Sequence, residues 1–200
     1  MYLSRLRLNR NRVTLLWVAN PYHVHQRLSM GCEHDPRLLF RIEDVDARSQ
    51  IIVQSHSKPD WDAAFAGLPV LSGLPECKSF ELNLVAGARY AFRLLANPTL
   101  KRGGKRLGLL REVDQRTWLE RKMEASGSGI LTCSVIPRGM MHSRKEAASG
   151  AAAQTHLAVQ FDGVLQVADP TALSAAVGAG IGAAKGFGFG LLSLAAPGGS

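Results

Sequence analysis

The chain has 200 residues, 46% of them hydrophobic by type, which suffices for one ordinary domain or two small ones and excludes a disordered polymer. Its 24 Lys plus Arg against 16 Asp plus Glu give a formal charge of +8, a balance that fits a phosphate-bearing polyanion or simply a solvated positive surface. Three widely spaced cysteines, Cys32, Cys77 and Cys133, exclude a disulfide framework, and no CxxC pair announces a zinc site.

The N-terminal stretch MYLSRLRLNRNRV is too charged for a signal-peptide core. Lys185 interrupts the C-terminal Gly/Ala segment before it reaches the length of roughly 18 apolar residues that a spanning helix needs. A soluble cytoplasmic protein without membrane contact is therefore expected.

In chain order, the alternation in MYLSRLRL predicts a strand with Tyr2, Ser4, Leu6 and Leu8 on one face and Leu3, Arg5 and Arg7 on the other, where arginines meet RNA or solvent. NPYHVHQRLSMG predicts a short helix, with Asn20 as N-cap, Pro21 in the first turn and Gly31 as the stop. Strands are expected at Arg37 to Glu43 and Gln50 to His56, a short helix from near Asp60, and a closing strand at Ala88 to Pro98. The order is β-α-β-β-α-β, a ferredoxin-like domain over residues 1–97, with room for an extra strand around Ser79 to Leu84.

TLKRGGKRLGLLR, Thr99 to Arg111, has five basic residues and no acidic ones, which marks a mobile basic linker over 98–111. A helix capped by Asp114, a strand at Ile130 to Pro137, a hairpin turning at Asp162-Gly163, a helix capped by Asp169 and a last strand near Leu191 fill residues 112–200. The expected fold class is α+β: two tandem ferredoxin-like (RRM-like) domains joined by the basic linker.

Between Gly178 and Gly190 there are six glycines in thirteen residues, with Lys185 among them. The P-loop pattern fails because Ala184 precedes Lys185 and Gly186 follows it, and a dinucleotide fingerprint fails because no strand leads into the segment. Two readings remain. Gly180, Gly182, Gly186 and Gly188 can offer bare N–H groups to a phosphate backbone beside Lys185, or they can merely let the loop pack closely. Lys101, Arg102, Lys105 and Arg106, and separately Arg138, Arg144 and Lys145, add cations that favour RNA or DNA as a set.

On the first helix, Pro21, Val24 and Leu28 share an apolar face, while Tyr22, His25 and Ser29 share another. His23 points elsewhere, so a metal site built with His25, Cys32 and His34 fits no common spacing, and no metal or cofactor is expected. A histidine beside a tyrosine is either a surface pair or acid/base machinery. RNA brings its own 2'-OH nucleophile, and the residues needed are ones that move protons near neutral pH and offset charge on the phosphate.

Taken together, MYLSRLRLN, NPYHVH, FRLLANP, TWLERKM, FDGVLQVADP and above all GIGAAKGFGFGLLSLAAP resemble the CRISPR repeat-processing endoribonuclease of the type I-E Cascade complex, the CasE family. The likeness extends over nearly the whole chain. It implies two ferredoxin-like domains and a metal-independent cut of precursor CRISPR RNA at the 3' base of the repeat hairpin. The implied products carry a 5'-OH and a 2',3'-cyclic phosphate or a 3' phosphate derived from it. The implied partners are the repeat hairpin and crRNA, the other Cascade subunits, and target DNA only through the complex.

By the same resemblance Tyr22 and His25 are the catalytic pair, with the roles of base and acid open. The glycine loop falls on Gly178 to Gly190 with its lysine at Lys185, and a basic hairpin falls on Arg138 to Lys145. Where some relatives carry a lysine five residues after the histidine, this chain has Met30, so the cation comes from elsewhere, with Arg27, Lys185 or a linker lysine as substitutes that the sequence does not choose among, or is absent. The alternative is a non-cleaving RNA-hairpin-binding or structural subunit of the same kind of complex.

Overall fold

The computed structural model describes residues 1–33, 35, 37–45, 48–143 and 154–196. The described residues divide into two compact units, one from Met1–Glu81, His142–Thr155 and Lys185–Gly188, the other from Leu82–Met141, His156–Ala184 and Phe189–Ser200. No helix among them is long and apolar enough to cross a membrane.

The first unit runs β1 (Tyr2–Arg7), α1 (Arg12–Val18), α2 (Pro21–Met30), β2 (Leu39–Val45), β3 (Arg48–Ser55), α3 (Trp61–Phe65) and β4 (Glu76–Ser79). Its antiparallel sheet has the order β2-β3-β1-β4. The alternation of β1 decides which face is buried: Ser4 and Leu6 are covered and Arg5 and Arg7 are exposed. Leu6, Val24, Leu28, Phe40, Ile51, Val53 and Trp61 form the core, and the Trp61 indole N–H reaches the Ser4 Oγ at 2.9 Å, which satisfies a buried donor.

The second unit contains β5 (Arg89–Ala96), β6 (Thr99–Arg102), β7 (Lys105–Gly108), α4 (Glu112–Glu124), α5 (Pro170–Ala179) and β10 (Leu192–Ala195). Two longer strands, β8 (Ser128–Ser143) and β9 (Gln154–Val167), complete its sheet, whose order is β10-β5-β9-β8. Leaving aside β6 and β7, both units place the fourth strand beside the first, then the third, then the second. The α+β fold of two ferredoxin-like units is the expected one. Phe92, Leu94, Trp118, Leu119, Phe161, Leu165, Leu173 and Val177 make the second core.

Several expectations need correction. The strand at Arg89–Ala96, expected to close the first domain at residue 97, pairs instead with β9 and β10 and opens the second sheet. The first sheet is closed by β4, whose four residues are all exposed; it is held by main-chain pairing to β1 rather than by an apolar face. Residues 98–111 are not a mobile linker. Thr99–Arg102 and Lys105–Gly108 pair as a hairpin around Gly103 and Gly104, whose φ of 56° and 76° suit the tight turn that matches strand twist. Helix α1 has no counterpart among the sequence-based expectations. Asp114 does not cap α4, which starts after Arg111 with no side-chain cap; Asp114 pairs with the Arg111 guanidinium at 2.7 Å instead.

Asp162-Gly163 is not a turn but the middle of β9. Asp162 lies opposite Arg93 of β5 and accepts two hydrogen bonds from it, at 2.8 and 2.9 Å. Gly163 is required by proximity, because a Cβ there would lie 2.0 Å from the Thr132 carbonyl oxygen of β8. A Gly163→Ala substitution is expected to destabilise the chain by about 2–3 kcal/mol and to lower the thermal midpoint accordingly, since the backbone of β8 must move away. An unchanged midpoint would contradict that close approach.

Candidate active site

Helix α2 is anchored at both ends. Asn20 accepts the Tyr22 N–H at 3.3 Å, Pro21 occupies the first helical position, and Gly31 ends the helix where a Cβ would lie 2.8 Å from the Asp60 carbonyl oxygen and 2.9 Å from the Trp61 ring. Pro21, Val24 and Leu28 are buried, which turns the half-buried Tyr22 and His25 onto the remaining face, as their spacing predicts. The His23 Nε2 lies 3.1 Å from the Asn20 side-chain nitrogen, at the cap. Arg27 donates to the Ala64 carbonyl at 3.0 Å and so ties α2 to α3. Met30 is 56% exposed at the end of the helix.

The His25 ring lies nearly parallel to that of Phe40 in β2, with 9° between planes and 6.1 Å between centroids, an offset stack. Its Nδ1 is buried without a hydrogen-bond partner among the described residues. The other edge faces the 3-10 turn Lys185–Phe187: a Cβ placed on Gly186 would be 3.4 Å from the His25 Cδ2 and 3.6 Å from Nε2. Burial holds the imidazole below the ordinary histidine range, which keeps it neutral at neutral pH. Gly188, at φ +86°, places its backbone so that a Cβ would be 3.2 Å from the Phe40 Cε2. The turn from Lys185 to Gly188 therefore lies against both α2 and β2, and Lys185 enters the same unit as His25 and Tyr22.

The other residues singled out from sequence lie elsewhere. Gly180 ends α5 at φ +77°, a conformation that favours glycine, and Gly182 sits where a Cβ would be 3.0 Å from the Trp118 ring, so backbone conformation accounts for the one and close packing for the other. Lys101 is opposite Arg106 and Arg102 opposite Lys105 on the exposed β6–β7 hairpin, which concentrates four cations around a two-glycine tip. Arg138 is exposed on β8, while Arg144 and Lys145 lie outside the described residues. Arg5 and Arg7, expected on a face open to RNA or solvent, both pair with Glu76 of β4, at 3.0 and 2.8 Å, and hold its carboxyl below the usual range.

The sequence reasoning missed Phe40 and the contact of Gly186 with the histidine. Phe40 reads only as one apolar residue in an alternating strand, and nothing local ties it to a helix 15 positions earlier. The repeated glycines were the available signal for the second contact, but they did not identify what would lie against them.

The sequence profile of the family described as CRISPR associated protein matches residues 1–196. The CRISPR-associated endoribonuclease Cse3 of Thermus thermophilus is 33% identical over 214 aligned positions, covering 98% of this chain and 100% of that one. The CRISPR system Cascade subunit CasE of Escherichia coli is 31% identical, covering 98% and 99%. A solved structure of the CRISPR endoribonuclease Cse3 bound to a 19-nucleotide RNA matches with a TM-score of 0.86 at 31% identity, covering 98% of this chain and 100% of that chain. With matches over essentially its whole length, the chain belongs to the CRISPR-associated protein family.

Proposed function

We propose that this chain is an endoribonuclease that binds the hairpin of a CRISPR repeat, cuts precursor CRISPR RNA at the 3' base of the stem, and stays bound as a subunit of a Cascade-type complex in the cytoplasm. The observation that carries the reading is the half-buried His25, which lies against Phe40 and the glycine turn on a capped helix that also presents Tyr22. The kinship with a named endoribonuclease and a named Cascade subunit over full length supports the same conclusion. Target DNA is then met only through the complex.

In the proposed reaction the 2'-oxygen attacks the adjacent phosphorus and the bond from phosphorus to the 5'-oxygen breaks. The 2'-OH loses a proton, the departing oxygen gains one, and the products are a 2',3'-cyclic phosphate and a 5'-OH. RNA supplies the nucleophile, so the protein's tasks are alignment, proton movement and charge stabilisation, which need no metal. Tyr22 and His25 carry the protons. Because the His25 Nδ1 is buried, exchange with the substrate runs through Nε2, on the edge beside Gly186. We assign Lys185, on the turn that packs against α2, to the developing phosphate charge, since Arg27 is engaged with the Ala64 carbonyl.

The stem is held mainly through its backbone, as expected for an RNA hairpin. Lys101, Arg102, Lys105 and Arg106 on the β6–β7 hairpin and Arg138 on β8 offer charge, with Arg144 and Lys145 next along the chain. Gly186 and Gly188 let the backbone of the turn come close, and Gly180 and Gly182 shape the approach to it.

A hairpin-forming repeat RNA incubated in chelator should be cleaved by the native chain. His25→Ala and a 2'-deoxy substitution at the cut site should each remove cleavage, the former by about 10²- to 10⁴-fold. Full activity of His25→Ala overturns the assignment; tight binding without cleavage by the native chain selects a non-cleaving subunit instead. Replacing Lys101, Arg102, Lys105 and Arg106 by Ala together should weaken RNA binding and flatten its salt dependence, by about one unit or less of log–log slope for each phosphate no longer neutralised. An NMR titration of the protein without RNA should place the His25 midpoint below the usual value of about 6.5. Since the unfolded chain then takes up the proton first, this residue's contribution to stability is present above about pH 6.5 and declines as the pH falls below that value. His25→Ala should lack that component.

A further inference from the structure

We propose that Phe40 is a positioning residue for the cleavage reaction: clamped by the Gly188 backbone, it fixes the plane and depth of the His25 imidazole so that only the Nε2 edge meets the substrate. The inference rests on the reading of His25 given above and deepens it.

Four observations converge on Phe40. Its side chain is fully buried, so it cannot itself touch RNA. Its ring lies within 9° of parallel to the imidazole, an orientation that limits rotation of the His25 side chain about its last bond. On the other side, Gly188 approaches so closely that a Cβ would be 3.2 Å from Cε2 and 3.6 Å from Cζ, which leaves the phenyl ring little room to move. Gly186, from the same turn, faces the Cδ2 and Nε2 edge with no side chain to cover it. The imidazole is thus bounded by an aromatic face and a bare backbone, and its Nδ1 is sealed from water.

A rigid imidazole matters because in-line proton transfer tolerates little misplacement, and errors on the order of 1 Å far from the chemistry cost about 100-fold. Hydrogen bonding of Nδ1 to a carboxylate is the usual way to orient a catalytic histidine. Among the described residues Nδ1 has no such partner, so orientation falls to packing. The charged or titratable groups on the elements around α2 are Arg12 on α1, Arg41, Glu43 and Asp44 on β2, Asp62 on α3, Lys185 on the turn, and Tyr22, His23 and Arg27 on α2 itself. None of them accounts for the depressed basicity of His25, whose cause is burial.

The test compares Phe40→Leu with Phe65→Leu, a second core aromatic of the same unit, which meets Trp17 edge to face and Trp61 at a tilt rather than His25. Each is measured for thermal midpoint, for affinity to the uncleaved 2'-deoxy repeat hairpin, and for single-turnover cleavage of the all-ribose hairpin across pH. Phe40→Leu should bind with native affinity but cleave at least 10-fold more slowly, and the histidine limb of its pH profile should move upward as water reaches the imidazole. Phe65→Leu should lose comparable stability with an unchanged rate constant and profile.

Should Phe40→Leu not fold, Phe40→Met serves instead. Its flexible chain fills a similar volume without presenting a ring face to His25, and it should slow cleavage without loss of RNA affinity. Native rate and pH profile in Phe40→Leu, with His25→Ala inactive, overturn this inference alone. Native cleavage by His25→Ala overturns the assignment of His25, and this inference with it.

Discussion

A stretch of backbone stripped of side chains lies against a histidine, and the geometry of the site follows from that contact. Gly186 meets the His25 ring edge and Gly188 meets Phe40, while Phe40 stacks on His25. Any residue larger than glycine at position 188 would face both a strained φ and a crowded ring. The arrangement removes water from one nitrogen of the imidazole and leaves the other available, which lowers basicity without a charged neighbour. Lowered basicity favours the neutral imidazole, the form that can take up a proton at the nitrogen left available.

The surrounding polar groups follow a division of labour. Arg27, which from sequence was an eligible cation for the reaction, donates instead to a helix-end carbonyl and joins α2 to α3. Arg5 and Arg7 pair with Glu76 across the edge of the first sheet, and Arg93 pairs with Asp162 across the second. Much of the excess positive charge that remains outside such pairs is gathered in short segments: the β6–β7 hairpin and the stretch from Arg138 onward. A net charge of +8 is therefore locally concentrated, the form in which it is most effective toward a nucleic-acid backbone.

How much was legible in the chain depended on whether the determining contact was local. Helix α2 was readable to the residue because Asn20 acts locally through its side-chain oxygen, and Pro21 and Gly31 through their own backbones. The placement of Tyr22 and His25 on one face follows from helical spacing alone. Strand β4 was not readable, since an edge strand with four exposed residues has no apolar alternation and is recognised only by its partner. Strand β5 was readable as a strand but not as a member of the second sheet, because alternation specifies which face is buried and says nothing about which neighbour is paired. At Asp162-Gly163 a turn signature was overridden by crowding: the glycine serves a close strand approach, and the aspartate an ion pair. Of the two readings of the glycine-rich segment, close packing accounts for Gly182 and Gly188, which have positive φ and crowded neighbours, whereas a methyl at Gly186 would meet the histidine only at ordinary contact distance.

The division of the chain has a consequence for its synthesis. Residues Lys185–Gly188 belong to the unit whose first seven elements are complete by Ser79, and between them, apart from His142–Thr155, the polypeptide builds nearly all of the other unit. A ribosome that has released the first seven elements has made Tyr22, His25 and Phe40 but not the turn that closes over them. Domains fold as they emerge, so the early unit can collapse around its core while its imidazole edge stays uncovered until Lys185–Gly188 arrives. Products truncated before that turn lack the backbone that lies against His25 and Phe40.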